Sequence, residues 1–355
     1  MDRITVCRHM GTIFFTGYPG FLGAELLPRL LAASPETTAR CLVQPKFAAL
    51  ARDRAAPLGK RVEIVEGDIT AKLAARADDV TEVYHLAAIY DLMVPRHLAM
   101  RVNVEGTRNV LDFAAAAPRL KRVHYVSTCY VSGSYPGLFR ETDLQKGQRF
   151  SNYYEETKYL AEVEVQQRMR AGLPATIYRP SVVTGDSRTG ATQKFDGPYF
   201  VMQWLLRQPR IAVLPVAGNP SAYRFNVVPR DFIIDAIETL SAKSEAIGKV
   251  YQLADPEPMT VSETIDAVAA ATGRRVLRIP MPKAVAKAAL DYVPGVYRLM
   301  RIPSAAVDYF THPTTYDTTN VQRDLGFPVP RFRDYLPRLV EFMRAHPEVG
   351  SSAMA

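Results

Sequence analysis

The chain has 355 residues, 48% of them hydrophobic, and a formal net charge of +8. That supports one large α/β domain or a domain with a smaller lobe. It contains no apolar run of the roughly 18 residues a spanning helix needs, and the run from Ile13 is broken too soon by Gly17, Pro19 and Gly20 to be a signal peptide. Three cysteines (Cys7, Cys41, Cys129) and six histidines show no metal-ligand or C-x-x-C spacing, which predicts no metal and a reducing, cytoplasmic compartment. No nucleic-acid motif occurs. The positive balance suits a phosphorylated cofactor, a coenzyme A thioester, an acidic carrier protein or a peripheral membrane contact, or is simply a basic surface. Met1 to His9 read as an extension, with Met10 an alternative start. Oligomeric state is left open, a homodimer included.

Thr12 to Thr16 is a β-branched and aromatic run that predicts a buried strand. Gly17, Gly20 and Gly23 follow at three-residue intervals, and Ala24, Leu26, Leu27, Leu30 and Leu31 then carry helical spacing. Strand, glycine turn and helix form the context of a dinucleotide fingerprint. Gly17 makes the tight turn, Gly20 lets backbone approach a pyrophosphate, and Gly23 lets the helix sit close to the sheet. The pyrophosphate then rests on free N–H groups at the helix start. Thr16, Phe21 and Leu22 complete the expected cofactor loop.

Ala39 to Val43 reads as the second strand. Where such folds often place an acid on the ribose 2′-hydroxyl, this chain has Gln44, followed by Lys46, Arg52 and Arg54. A missing carboxylate beside cations favours NADP over NAD, although the same cations also suit a solvated face. Arg61 to Val65 is the third strand. Beyond it, Asp68 either contacts the adenine or starts the next turn, with Ile69 beside it. Thr81 to Leu86 is the fourth, entering Ala87 and Ala88, whose small side chains let a cofactor cross the strand end, with Leu86 counted among the cofactor contacts. His85 either borders the cofactor or is a satisfied core residue, the commoner fate of a lone strand histidine.

Asn103 to Ala117 is a helix, with Asn103 counted among the cofactor contacts. Arg122 to Val126 is a strand ending in Ser127 and Thr128, Glu155 to Ala171 is a charged helix, and Ala175 to Tyr178 is the sixth strand. This alternation predicts an α/β fold: a doubly wound parallel sheet over 10–185, with return strands near 225–255. A smaller C-terminal α/β lobe over 186–345 is expected to bind substrate. Segment 186–225 is rich in Gly, Pro and aromatics and has no assigned element; Phe195 and Tyr199 are expected to line an acyl tunnel, with Tyr90 and Tyr130 as further substrate contacts. Asp231 to Leu240 and Val261 to Ala271 are helices, the latter opened by Thr260 or Ser262, and Lys249 to Leu253 and Arg275 to Ile279 are strands. Residues 283–310 are mostly helical and amphipathic, with Lys283, Lys287, Arg298 and Arg301. They read as the lid of an apolar pocket ahead of a membrane-facing surface. Tyr335 to Ala345 is a final helix.

The second constellation is Tyr154 and Lys158, four apart at a helix start and so on one face. A lysine ammonium beside a phenol lowers the phenol pKa, and such a tyrosine can exchange a proton with a carbonyl oxygen as hydride moves. Thr128 at a strand end can hydrogen-bond the same oxygen.

This ordered set resembles the extended short-chain dehydrogenase/reductase superfamily over about residues 11–345, with a Rossmann sheet and a C-terminal substrate lobe. TGYPGFLG, GDIT at 67–70, HLAA at 85–88 and VNVEGT at 102–107 match its landmarks. The resemblance implies Thr128 (ahead of Ser127), Tyr154 and Lys158 as the catalytic set. It also implies that Lys158 holds the nicotinamide ribose and that Pro180, Ser181 and Val182 orient the nicotinamide. RPSVVTGDSRTG at 179–190, LVQPK at 42–46 and NYYEETKYLAE at 152–162 are similar to thioester reductase domains and bacterial fatty acyl-CoA reductases, with Gln44 departing from a common arginine. The implied activity is reduction by NADPH of a fatty acyl or polyketide thioester, presented on coenzyme A or an acyl carrier protein, to aldehyde or alcohol. The alternatives are a ketone or alcohol dehydrogenase, epimerase or dehydratase on a lipid, steroid or nucleotide sugar, and a non-catalytic cofactor sensor.

Overall fold

The computed structural model describes residues 11–350; the Met1–His9 extension, Met10 and Cys7 lie outside the described residues. The chain starts its sheet with Thr12–Thr16 (β1), all buried. Successive strand residues point to opposite faces. Phe14 therefore packs on Phe113 on one side (ring centroids 4.2 Å) and Phe15 on Tyr84 on the other (5.9 Å). Each buried ring contributes about 2–3 kcal/mol to folding.

There follow Gly23–Ala33 (α1), Thr38–Val43 (β2), Ala48–Ala55 (α2), Val62–Glu66 (β3) and Val80–His85 (β4). Next comes a helix that begins at Arg96, seven residues before the expected Asn103: Arg96–Ala99 (α3), a π-helical segment Met100–Glu105, and Gly106–Ala115 (α4). Arg122–Val126 (β5), Gly137–Phe139 (β6), Tyr153–Arg170 (α5) and Ala175–Pro180 (β7) complete the first half. The second half contains Val182–Thr184 (β8), Pro198–Leu206 (α6), Ile211–Ala217 (β9), Val227–Pro229 (β10), Arg230–Ser241 (α7), Val250–Leu253 (β11), Val261–Thr272 (α8) and Arg275–Met281 (β12). It ends with Lys283–Tyr292 (α9), Val296–Met300 (α10), Ser304–Tyr309 (α11), Thr314–Tyr316 (β13), Thr319–Leu325 (α12) and Phe332–Ala345 (α13).

Seven strands form one parallel sheet in the order β11-β7-β5-β4-β1-β2-β3. Its two faces are covered by separate apolar layers. One holds α1 and α7 through Leu26, Leu27, Leu30, Phe232, Ile233 and Ile237; the other holds α4 and α5 through Val110, Leu111, Ala161 and Val165. This is the doubly wound Rossmann arrangement, in which ligands sit outside the carboxyl ends of the strands where the order reverses, here between β1 and β4.

The return strands divide. β11 joins the main sheet beside β7, whereas β10 pairs only with β8. The 186–225 segment, expected to be irregular, holds α6 and β9, and β9 pairs in parallel with β12. The lobe has its own core, where Phe195, Tyr199, Met202 and Leu205 meet Tyr335, Leu336 and Leu339 of α13. Residues 283–310 form three short helices. Asp308 of α11 is fastened to Lys283 (2.8 Å) and Lys287 (2.7 Å) of α9. Among the described residues no helix is long and apolar enough to cross a membrane.

Candidate active site

A cavity of about 720 Å³ opens over the carboxyl ends of β1, β4, β5 and β7. Its first wall is the glycine loop. Gly17 has φ +92°, and a Cβ there would meet the backbone of Leu86 and Ala87 at 2.8 Å, so only glycine lets the loop cross the β4 end. A Cβ on Gly23 would lie 2.5 Å from the Gly17 carbonyl oxygen, so α1 approaches the turn through bare backbone. No side chain caps α1; the Ala24 and Glu25 N–H groups close its first turn on the Gly20 and Leu22 carbonyls (2.9 and 3.2 Å). Gly20, Phe21 and Leu22 line the same wall.

At the end of β2, Gln44 donates to Asp68 (2.7 Å), and Asp68 also accepts the Thr70 N–H (2.8 Å). These bonds outweigh desolvation and hold the Asp68 carboxyl below its ordinary range, with Arg101 adding to the effect. Lys46 and Arg101 line this end of the cavity. The other two cations expected here are engaged elsewhere: Arg52 pairs with Glu66 (2.5 Å), and Arg54 donates to the Pro19 carbonyl (2.9 Å), bracing the glycine loop. Leu86, Ala87, Ala88 and Ile69 line the floor, with Pro180, Ser181 and Val182 opposite. The Ser181 hydroxyl is buried and has no partner. A backbone cradle that a Cβ would fill, an uncapped helix start and an unpaired buried hydroxyl fit a dinucleotide with its pyrophosphate at α1.

Thr128, Tyr154 and Lys158 meet at the middle of the cavity, all buried. Tyr154 sits in the first turn of α5, fixed by a reciprocal cap: Asn152 accepts the Glu155 N–H (2.9 Å), and Glu155 accepts the Ser151 N–H (2.9 Å). Thr128 Oγ1 donates weakly to the Pro180 carbonyl (3.4 Å) and lies near enough to the Tyr154 phenol to favour its ionised form. The neighbouring Ser127 hydroxyl is committed to Glu162 (2.5 Å), whose carboxylate pairs with the fully enclosed Arg179 (2.6 Å). Thr128 is thus the hydroxyl left facing Tyr154.

Lys158 does not bond Tyr154. Its ammonium donates to the Val126 carbonyl (2.8 Å) and the Tyr125 hydroxyl (3.1 Å). Burial lowers its pKa to about 7, with Glu162 acting in the opposite direction. The expected lowering of the Tyr154 pKa is therefore absent: burial drives the phenol upward, and the nearby Thr128 hydroxyl only partly offsets this. Desolvation of a phenolate outweighs a cation that is already engaged.

Five residues singled out from the sequence do not line the cavity. Thr16 bonds His85 Nδ1 (2.7 Å) and accepts the Ala87 N–H (3.3 Å). His85, whose other nitrogen meets Thr107 (3.0 Å), is a core residue held neutral by burial at a pKa of about 3. Asn103 accepts the Ile89 N–H (2.9 Å) and donates to Thr157 (3.0 Å), tying the Tyr90 loop to α5. Phe195 and Tyr199 are 1% exposed and belong to the lobe core, where the Tyr199 hydroxyl accepts the Gly185 N–H (3.0 Å). Bulky rings that satisfy an inward-facing core are withdrawn from a tunnel wall.

The lobe end of the cavity is lined instead by Tyr90, Tyr130, Tyr309, Gln193, Lys194 and Asp196. Tyr90 meets Tyr154 edge-on (4.9 Å), Lys194 lies over the Tyr90 ring (3.7 Å) and pairs with Asp196 (2.5 Å), and Tyr130 meets Tyr309 edge-on (4.4 Å). Sequence reasoning missed Arg101, Gln193, Lys194, Asp196 and Tyr309. No local motif marks them, because they converge only through tertiary contact.

A family described as male sterility protein, with an NAD-binding domain, matches residues 15–237. Among curated proteins, the chain is 26% identical to the nonribosomal peptide synthetase FrzA of a Cladobotryum species, over 92% of this chain and 35% of that protein. It is also 26% identical to the aldehyde reductase lnbA of Aspergillus flavus, over 76% of this chain and 29% of that protein. The chain thus spans about a third of the length of these relatives. Among solved structures, the terminal R domain of the myxalamid PKS-NRPS biosynthetic pathway superposes with a TM-score of 0.80 at 25% identity, covering 97% of this chain and 93% of that one.

Proposed function

Because the chain belongs to the male sterility protein family of NAD-binding proteins, an extended short-chain dehydrogenase/reductase of the thioester reductase subgroup, we propose that it reduces an acyl thioester to an aldehyde with NADPH. The observation that carries this is the Thr128–Tyr154 hydroxyl pair, buried with Lys158 where the cofactor cradle meets the lobe. A bound reduced nicotinamide supplies hydride. Gly17, Gly20 and Gly23 admit its pyrophosphate, and Ser181 and Lys158 hold its nicotinamide end. Thr128 and Tyr154 hold the carbonyl oxygen, and Tyr154, kept protonated by burial, donates the proton as charge develops there; the thiohemiacetal so formed breaks its C–S bond to give the aldehyde, its hydroxyl proton leaving with the departing thiol. The 186–345 lobe closes over the acyl group, and the cavity mouth admits a pantetheine arm, common to coenzyme A and carrier proteins. Lys46 and Arg101 beside Gln44, with no carboxylate ending β2, favour the 2′-phosphate of NADPH over NADH.

The test is aldehyde formation from decanoyl-CoA and from a carrier-bound decanoyl group, with NADPH and NADH compared. Tyr154→Phe should lose at least about a hundredfold in kcat while still binding NADPH. Turnover of ketones with no aldehyde from either thioester refutes the proposal.

A further inference from the structure

The lobe end of the cavity is not the apolar tunnel that a bare alkyl chain would select. Phe195 and Tyr199 have turned into the lobe core, and phenols with a lysine–aspartate pair stand in their place. Most of these polar groups are already satisfied. Asp196 pairs with Lys194 (2.5 Å), and the Lys194 ammonium lies over the Tyr90 ring (3.7 Å), leaving that corner neutral. Tyr309 differs. It is 8% exposed and lines the cavity, yet its hydroxyl has no hydrogen-bond partner. Leaving such a group unmet is unfavourable, and a ligand acceptor would relieve it.

The ring is held firmly. Tyr309 closes α11, its edge packs on Tyr130, and the preceding Asp308 is clamped by Lys283 and Lys287. Tyr130 in turn donates its backbone N–H to Thr128 Oγ1 (3.3 Å). Tyr309 is therefore held in the wall of the same cavity that Thr128 and Tyr154 line. Burial pushes the Tyr309 pKa well above the ordinary phenol range, so it remains a proton donor.

We propose that Tyr309 is a substrate-binding residue whose phenol donates a hydrogen bond to an oxygen carried by the acyl chain near the thioester, so that oxygenated acyl groups are preferred to plain fatty ones. The chemistry required is one acceptor oxygen, from a β-hydroxyl or from the amide carbonyl of an aminoacyl group. This inference rests on the thioester reduction proposed above and deepens it by naming the substrate class.

The experiment compares wild type and Tyr309→Phe on decanoyl-CoA, 3-hydroxydecanoyl-CoA and N-octanoylglycyl-CoA. Wild type should prefer at least one oxygenated thioester, and which of the two identifies the source of the oxygen. Tyr309→Phe should lower kcat/KM for that substrate, chiefly through KM, about tenfold more than it lowers kcat/KM for decanoyl-CoA. Because the hydroxyl bonds nothing in the protein, the variant's Tm should be unchanged or higher. An equal fall on all three substrates, an unaltered preference, or a Tm lower by several degrees overturns the inference. A wild type that reduces none of them overturns thioester reduction, and the inference with it.

Discussion

The ion pair beneath the reaction centre gives the strongest stability test. Arg179 and Glu162 are both fully enclosed, and their contacts run at 2.6–3.1 Å. Ser127 and Gln166 donate to the same carboxylate, while Arg179 also donates to the Asp143 carbonyl (2.8 Å). Removing one partner leaves a buried charge uncompensated, at about 3–5 kcal/mol. Glu162→Gln keeps an acceptor and belongs near 3; Glu162→Met leaves only backbone carbonyls for Arg179 and belongs near 5. With about 2.1 cal/mol/K of unfolding entropy per residue over this chain, those costs lower Tm by about 4 and 7 °C. The double variant Glu162→Met/Arg179→Met removes both charges and should melt above either methionine single variant, since an apolar replacement of the whole pair escapes the desolvation penalty. Thermal unfolding followed by circular dichroism and calorimetry reads all four proteins. Glu162→Met melting within about a degree of wild type, or a double variant falling by the sum of the singles, refutes the reasoning.

Thr128→Ala should cut kcat about a hundredfold with little change in Tm, while Ser127→Ala, which frees an acceptor site on Glu162, should lower Tm and spare more of kcat; steady-state kinetics beside melting curves separate the two. Gly17→Ala combines a left-handed backbone with a clash against Leu86 and Ala87, and should weaken NADPH binding at least about tenfold in a fluorescence titration; near-native affinity would mean that the loop yields. Glu155 is raised from 4.5 to about 7, first by burial. The native state therefore binds more protons than the unfolded chain between those values, and stability falls as pH rises through that window. Glu155→Gln should gain on wild type from pH 5 to pH 8 by at most about 3 kcal/mol, read as a growing Tm difference, and a pH-independent difference would contradict this assignment.

The central sheet was legible because its strands are short, apolar and regularly interrupted. Thr12–Thr16 and Arg122–Val126 coincide with β1 and β5, and the glycine spacing found its own turn. The three-residue strands β6, β8, β10 and β13 were not legible, because three residues are too few to carry alternation and each is defined by a distant partner. β9 was hidden for a different reason. It alternates exposed Ile211 and Val213 with buried Ala212 and Leu214, reversing the usual polar-out pattern. The cluster of Thr128, Tyr154 and Lys158 was readable from order along the chain, but the bonding of Lys158 was not. A lysine four residues from a tyrosine shares its helix face, yet Tyr125 and the Val126 carbonyl on the neighbouring strand claim its ammonium.

That difference changes how the site holds its proton. If Lys158 touched Tyr154, the phenol would be poised to ionise before substrate arrived. With the lysine committed to the end of β5, burial keeps Tyr154 protonated, as a reducing direction requires. The same lysine, lowered to about 7, spans the space between β5 and α5 and sets the height of Tyr154 over the strand that carries Thr128. The Arg179–Glu162 pair fixes the strand end from the opposite side by occupying Ser127. Lys158 and Arg179 thus hold the scaffold while the Thr128 and Tyr154 hydroxyls line the cavity, the donors that the proposed reduction needs for negative charge developing on a carbonyl oxygen.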